Sequence, residues 1–343
     1  MSSPQPIAVV GVSGYTGFEL AKLLLRHPAG SAATFFMRET QGAHCLSELF
    51  PQLRGTNRAP VRQLSIENIL AAGVGTAFLA TPHEASAGLA PQLLEAGLKV
   101  IDLSGAFRFR DAALFQSWYK LPAPHAPWLG SAVYGLPEFY SSELATARLV
   151  ANPGCYATSV ILAVRPLVQA GLLDSRSAVI ADCKSGATGA GKELRRDLHF
   201  SELDGNFKAY HLFSHRHTPE IVEQTGLAES QLTFTAHLLP IARGILSTIY
   251  VTLAEPQTPE SIEALYRKTY AGRPMVRIWK AGTLPEIQHV ANTNFADIGF
   301  SLDGSGRRLI VVSCLDNLGK GAAGQAIQNL NHLLKIEENT GLV

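Results

Sequence analysis

Short, uniformly apolar runs alternate with amphipathic stretches over the first 150 residues of the chain. Residues 7–10 (I-A-V-V) contain no polar position, as a strand buried on both faces requires, and residues 16–26 place Leu20, Leu23 and Leu24 on one helical face. The cycle recurs: 33–36 predicts a second strand, 76–80 a third, 84–96 a helix closed by Gly97, and 99–103 a further strand. Strands separated by helices predict right-handed crossovers and a doubly wound parallel sheet. After Asn152 the period changes. Leu232, Phe234, Ala236 and Leu238 alternate with Thr233, Thr235 and His237, the pattern of a sheet covered on one face only. Residues 244–253 and 275–279 predict more strands, 296–302 and 308–314 flank D-G-S-G as a hairpin, and 319–334 predicts a closing helix with Ala322, Ala326 and Leu330 four apart. The chain therefore reads as α/β, with one domain at 1–151 and 315–343 and an inserted α+β domain at 152–314 that carries a mixed, largely antiparallel sheet.

Composition narrows the function classes. The 343 residues are 46% hydrophobic and 17% charged, with 29 Lys and Arg against 28 Asp and Glu. So balanced a chain has no basic excess for nucleic acid, and it is too apolar to be disordered. No apolar run approaches the ~18 residues of a membrane span, and the opening M-S-S-P-Q-P shows no targeting pattern, so a cytoplasmic location is expected. Few charges on so long a chain suggest a surface sheltered by further copies, a homo-oligomer. Cys45, Cys155, Cys183 and Cys314 form no C-x-x-C pair, and no Cys/His cluster completes a metal set.

The chemistry lies at the ends of the strands. G-V-S-G-Y-T-G, residues 11–17, joins the first strand to its helix; Gly11, Ser13, Gly14, Tyr15, Thr16 and Gly17 suit close approach of backbone amides to a dinucleotide pyrophosphate in a Rossmann-type fold. After the second strand, Arg38 suits the 2′-phosphate of NADP, while Glu39 would suit the ribose of NAD. Cys155, in A-N-P-G-C-Y-A-T, follows a strand at 148–150 and opens a helical run, where the helix dipole favours a thiolate nucleophile. S-H-R-H-T-P-E offers His215 and His217 as acid/base candidates, with Arg216 between them and Glu220 able to orient a ring. K-S-G-A-T-G-A-G-K, residues 184–192, reads as a second glycine-rich loop after a strand at 177–183. Arg108, in D-L-S-G-A-F-R-F beyond the strand at 99–103, is placed to clamp a phosphate.

Taken together these segments resemble the N-acetyl-γ-glutamyl-phosphate reductases, relatives of the aspartate-semialdehyde dehydrogenases. The motifs that carry the resemblance run nearly end to end: G-V-S-G-Y-T-G-F-E-L, A-T-P-H, D-L-S-G-A-F-R, Y-G-L-P-E, N-P-G-C-Y-A-T, S-G-A-T-G-A-G-K, H-R-H-T-P-E-I, L-L-P-I-A-R-G-I-L-S-T and D-N-L-G-K-G-A-A-G-Q-A. The resemblance implies an NAD(P)-binding domain followed by a catalytic and dimerisation domain, with the cleft between them. It implies NADPH reduction of N-acetyl-γ-glutamyl phosphate to the semialdehyde, with release of phosphate, through a cysteine thioester in arginine biosynthesis. It makes Cys155 the nucleophile and a histidine of H-R-H the acid/base, His217 ahead of His215. It also implies Arg108, Arg216 and Glu220 on the substrate, and Thr81, Pro82, Ser185, Gly186, Gly189 and Asn317 beside the cofactor, in a homodimer or homotetramer. Met37 stands where the family often has Ser before the Arg, which leaves Arg38 as the support for NADP. The alternatives are an aspartyl phosphate or carrier-linked aminoadipyl phosphate reductase, or a non-catalytic NADP-binding regulator.

Overall fold

A computed structural model describes residues 6–40, 42–55 and 59–343; the opening M-S-S-P-Q lies outside them. The chain forms two compact units, Met1–Pro153 with Ala323–Val343, and Gly154–Ala322. These boundaries differ from the 151/152 and 314/315 read from the sequence. The second falls later because residues 316–321 are tied into the second unit: Arg243 Nε donates to Asp316 Oδ2 at 2.8 Å, and the Gly321 N–H donates to the Asp316 carbonyl at 2.8 Å.

In the first unit the strands are β1 (Ile7–Val10), β2 (Thr34–Met37), β3 (Val61–Gln63), β4 (Thr76–Leu79), β5 (Lys99–Asp102), β6 (Val133–Tyr134) and β7 (Leu149–Ala151), in the order β3-β2-β1-β4-β5-β7-β6. Every pairing is parallel. Successive side chains of a strand enter opposite apolar layers. Ile7 and Val9 pack with Leu20, Phe35, Phe78 and the closing helix, whereas Ala8 and Val10 pack with Phe36, Leu79 and Leu93. The closing helix, Gly324–Leu334, is preceded by a π-helical turn, Gly319–Ala323, in place of one continuous α-helix from 319. Y-G-L-P-E is its dock. Asn329 Nδ2 donates to the Gly135 carbonyl at 2.9 Å, a Cβ on Gly135 would lie 2.4 Å from that nitrogen, and Gln328 donates to Glu138 at 3.0 Å.

The second unit contains β8 (Val179–Gly186), β9 (Lys208–Tyr210), β10 (Leu232–Leu239), β11 (Ile245–Thr252), β12 (Val276–Ile278), β13 (Ala296–Leu302) and β14 (Arg308–Leu315), ordered β12-β13-β14-β11-β8-β10-β9. The β8–β10 and β12–β13 pairings are parallel and the others antiparallel, including the expected β13–β14 hairpin. One face is covered by the helix Cys155–Gln169, whose Ser159 donates to Ser247 of β11 at 2.8 Å. Pro166 removes the N–H that would meet the Leu162 carbonyl one turn earlier. The Tyr270 hydroxyl donates to that carbonyl at 2.5 Å, so the proline costs the buried helix no unsatisfied acceptor.

Candidate active site

The 11–17 turn is a cradle that side chains would fill. Gly11 has φ +90°, and a Cβ there would lie 2.3 Å from the Ala80 carbonyl oxygen; one on Gly17 would lie 2.2 Å from the Gly11 carbonyl oxygen. Gly14 caps the helix Tyr15–Leu24 with no side-chain hydrogen bond and no acid in the first turn, which leaves that end to backbone amides and the positive pole of the helix. Ser13 lies on this turn, Tyr15 and Thr16 in the first helical turn, and Arg38 is exposed just beyond β2. Thr81 Oγ1 is 2.8 Å from Ser86 Oγ, and Pro82 opens the helix His83–Glu95.

The segment 102–108 is a built loop. Asp102, fully buried, accepts from the Ser104 hydroxyl at 2.7 Å and the Ser104 N–H at 3.1 Å. Burial pushes its carboxyl above the usual range, against the lowering effect of those bonds. The Gly105 N–H donates to His83 Nδ1 at 2.8 Å, and a Cβ on Gly105 would lie 2.0 Å from the Tyr119 hydroxyl. Arg108 is buried: its Nε donates to the Asn152 carbonyl at 2.9 Å and a terminal nitrogen to the Leu103 carbonyl at 3.2 Å. The guanidinium read from the sequence as a phosphate clamp is thus anchored on backbone carbonyls, one of them three residues before Cys155.

In the second unit, Cys155 is the first residue of its helix and is partly exposed, whereas Cys45, Cys183 and Cys314 are buried. Burial pushes the Cys183 and Cys314 thiols up to about 12. Gly154 caps the helix, and a Cβ there would lie 2.3 Å from His217 Nε2, so the imidazole rests on the backbone immediately before the cysteine. His217 opens its own helix, His217–Thr225, and its N–H donates to His215 Nδ1 at 3.1 Å. The His215 ring is packed among Tyr156, Tyr210 and Phe234; burial, then the charges of His217, His211 and Arg216, drive it down to about 2. Glu220 is fully buried, and its Oε1 accepts the Gly154 N–H at 2.8 Å. Expected on the substrate, its carboxylate also holds the start of the cysteine helix. Arg216 is exposed beside this pair of histidines.

The 184–192 segment differs from the loop read from sequence, since β8 runs through Ser185 to Gly186 and only then turns. The turn is knitted to its neighbours. The Gly186 N–H donates to the Gly244 carbonyl at 2.9 Å; Asn317 accepts from the Gly244 N–H at 2.8 Å and donates to Thr188 at 2.9 Å. A Cβ on Gly189 would stand 3.3 Å from Ser185 Oγ and 3.7 Å from Asn317 Nδ2, which brings these three residues together. Sequence reasoning missed the brace behind them. Asp316 is fully buried and takes Arg243 in a bidentate pair, together with the N–H groups of Leu318 and Gly319 at 2.8 and 3.0 Å. The R-G and D-N dipeptides were the available signal. It also missed Gly321, where a Cβ would lie 2.8 Å from Cys155 Cβ, and Tyr156, whose hydroxyl donates to the His237 carbonyl at 2.9 Å. Among the described residues no group of His, Cys, Asp and Glu is arranged to hold a metal ion.

Comparison with known proteins agrees with this division of labour. Residues 6–147 match the family model "Semialdehyde dehydrogenase, NAD binding domain", and residues 155–317 match "Semialdehyde dehydrogenase, dimerisation domain". Among solved structures, aspartate semialdehyde dehydrogenase II from Vibrio cholerae superposes with a TM-score of 0.73 at 17% identity, covering 97% of this chain and 99% of that one. The Candida albicans aspartate semialdehyde dehydrogenase with NADP gives 0.68 at 15% identity, over 98% and 100%. At such identities the likeness establishes the fold. The N-acetyl-γ-glutamyl-phosphate reductases of Desulfotalea psychrophila and Symbiobacterium thermophilum are 46% and 44% identical, each over 98% of this chain and 97% of the relative. With the cysteine helix, the dinucleotide turn and full-length relatedness all in place, the chain belongs to the N-acetyl-γ-glutamyl-phosphate reductase family of the semialdehyde dehydrogenase superfamily.

Proposed function

We propose that the protein carries out its family's reaction, the NADPH-dependent reduction of N-acetyl-γ-glutamyl phosphate to the semialdehyde and phosphate, with Cys155 as nucleophile and His217 as acid/base. The observation that carries the assignment is the imidazole of His217 against Gly154, next to the one partly exposed cysteine among the described residues. The helix N-terminus stabilises the thiolate. His217 takes the thiol proton as Cys155 Sγ attacks the acyl carbon, the bond from that carbon to the phosphate oxygen breaks, and a thioester remains. Bound NADPH supplies the hydride. When the thiohemiacetal collapses the carbon–sulfur bond breaks, and His217 returns a proton to Sγ. His215 is the positioning member of the pair, since its Nδ1 accepts the His217 N–H and its ring stays neutral. Arg108, fixed by the Leu103 and Asn152 carbonyls, holds a positive charge for the departing phosphate, with exposed Arg216 a second cation on the substrate side.

Gly11, Ser13, Gly14, Tyr15, Thr16 and Gly17 hold the pyrophosphate, Arg38 reads the 2′-phosphate, and Thr81, Pro82, Ser185, Gly186, Gly189 and Asn317 shape the remainder of the cofactor site. The protein works in the cytoplasm as a homodimer. The open face of its second sheet supports this reading, because Tyr250 pairs in register with Ile180 on β8 and Ile310 on β14, and the three are 41%, 41% and 37% exposed. Given N-acetylglutamate semialdehyde, phosphate and NADP⁺, the protein should form NADPH in a phosphate-dependent way. Cys155→Ser should abolish turnover with cofactor binding retained, and His217→Gln should lower kcat about 10²-fold or more. Full turnover in the Cys155→Ser variant would sink the covalent step, and faster turnover of aspartate semialdehyde would reassign the substrate.

A further inference from the structure

The closing helix Gly324–Leu334 buries its two sides differently. Ala326, Ile327 and Leu330 enter the apolar core, while Gln325, Gln328 and Asn329 lie on the opposite side. Gln328 and the Asn329 amino group are engaged, with Glu138 and with Gly135 and Asn152 respectively. Gln325 is fully buried and neither its Oε1 nor its Nε2 has a hydrogen-bond partner; Asn329 Oδ1, one turn along the same face, also has none. A core position is filled more favourably by an apolar side chain than by an orphaned amide. An orphaned amide and, one turn along, an unmet amide oxygen, on the face that bonds the Asn152 segment just before Cys155, therefore mark a place where a ligand completes the bonding.

The unmet groups define that ligand. Two carbonyl oxygens await donors and one amino group awaits an acceptor. A phosphate or carboxylate, which only accepts, would leave both oxygens unmet, whereas an amide supplies N–H and C=O together. We infer that Gln325, supported by Asn329 Oδ1, is a binding residue that reads an amide group of a bound ligand. The inference rests on the reductase reading above, which brings two amides: the carboxamide of the nicotinamide and the acetamido group of the substrate.

Gln325→Leu separates these from a structural role. The variant should melt at or above the wild-type temperature, because it removes an unsatisfied buried amide. If the carboxamide is read, the Kd for NADPH, followed by cofactor fluorescence, rises at least tenfold, and the wild-type preference for NADP⁺ over its 3-acetylpyridine analogue, which lacks the amide N–H, disappears. If the acetamido group is read, the NADPH Kd is unchanged and KM for N-acetylglutamate semialdehyde rises at least tenfold with kcat largely kept. Should the leucine variant not accumulate as folded protein, Gln325→Met is measured in the same way. Cofactor Kd and semialdehyde KM both within twofold of wild type would overturn the proposal, whatever the melting temperature. Wild-type protein that ignores N-acetylglutamate semialdehyde but oxidises aspartate semialdehyde would instead fail the substrate reading, and the cofactor measurements would still decide the role of Gln325.

Discussion

At the scale of single residues, two neighbouring histidines are divided by their surroundings. His217 rests on Gly154 beside Cys155, and His215 is enclosed by aromatic rings and held neutral. The division has a consequence for stability. In the unfolded chain His215 takes up a proton near its ordinary 6.5, but in the folded protein it resists protonation down to about 2. Its contribution to stability is therefore complete above pH 6.5 and is lost progressively as pH falls toward 2, at a slope of at most about 1.4 kcal/mol per pH unit. Urea unfolding of His215→Gln between pH 7 and 4 should accordingly show a flatter loss of stability than wild type. Parallel curves would show that His215 is not held neutral. The pair H-x-H was legible in the sequence, and the resemblance put His217 ahead of His215 as acid/base; the difference in their surroundings was not legible, because it depends on Tyr156, Tyr210 and Phe234 arriving from three other elements.

At the scale of elements, the start of the cysteine helix is held from outside. Its cap, Gly154, has no side chain to offer; the glycine is required by the close approach of His217, and Glu220 from another helix supplies the missing acceptor. Glu220→Ala would leave the Gly154 N–H buried without that bond, at a cost of about 1–3 kcal/mol. Chemical denaturation should show that loss together with a lower kcat, whereas Glu220→Gln, which keeps an acceptor oxygen, should retain most of the stability. Equal loss in both variants would show that the charge, not the bond, matters. The sequence put Glu220 in the H-R-H-T-P-E segment and read it as a substrate contact; its bond to Gly154 was not legible, since nothing local reveals that a carboxylate points to a backbone amide 66 residues away. Likewise the glycine-rich 184–192 segment reads locally as a loop, but its first residues are recruited into β8 by eight paired positions on β10.

At the scale of the whole molecule, part of the small charged complement is interior, which leaves the surface more neutral still. Asp102, Arg108, Glu220, Asp297, Asp316 and Lys320 are all buried. The remaining apolar surface has a pattern: the Ile180–Tyr250–Ile310 row crosses the open sheet face, and Leu194, Phe200, Phe207, Leu212 and Phe213 are exposed in the segment before the histidines. Tyr250→Arg, a charge at the centre of the row, should shift the sedimentation mass toward the monomer; an unchanged mass would remove this face from the interface.

The sequence by itself determined the alternation of elements, the parallel sheet, the glycine turn after the first strand and a cysteine opening a helix, because each is written in a local period or a short motif whose physics acts within a few residues. Tertiary structure alone decided what Asp316 and Arg243 brace, why Gly135, Gly154 and Gly321 must lack a side chain, and that Gln325 stays buried without a partner. Those facts turn on which distant backbone or side chain comes within 3 Å or so of a given atom, a quantity set by packing density and long-range pairing rather than by neighbours in the chain.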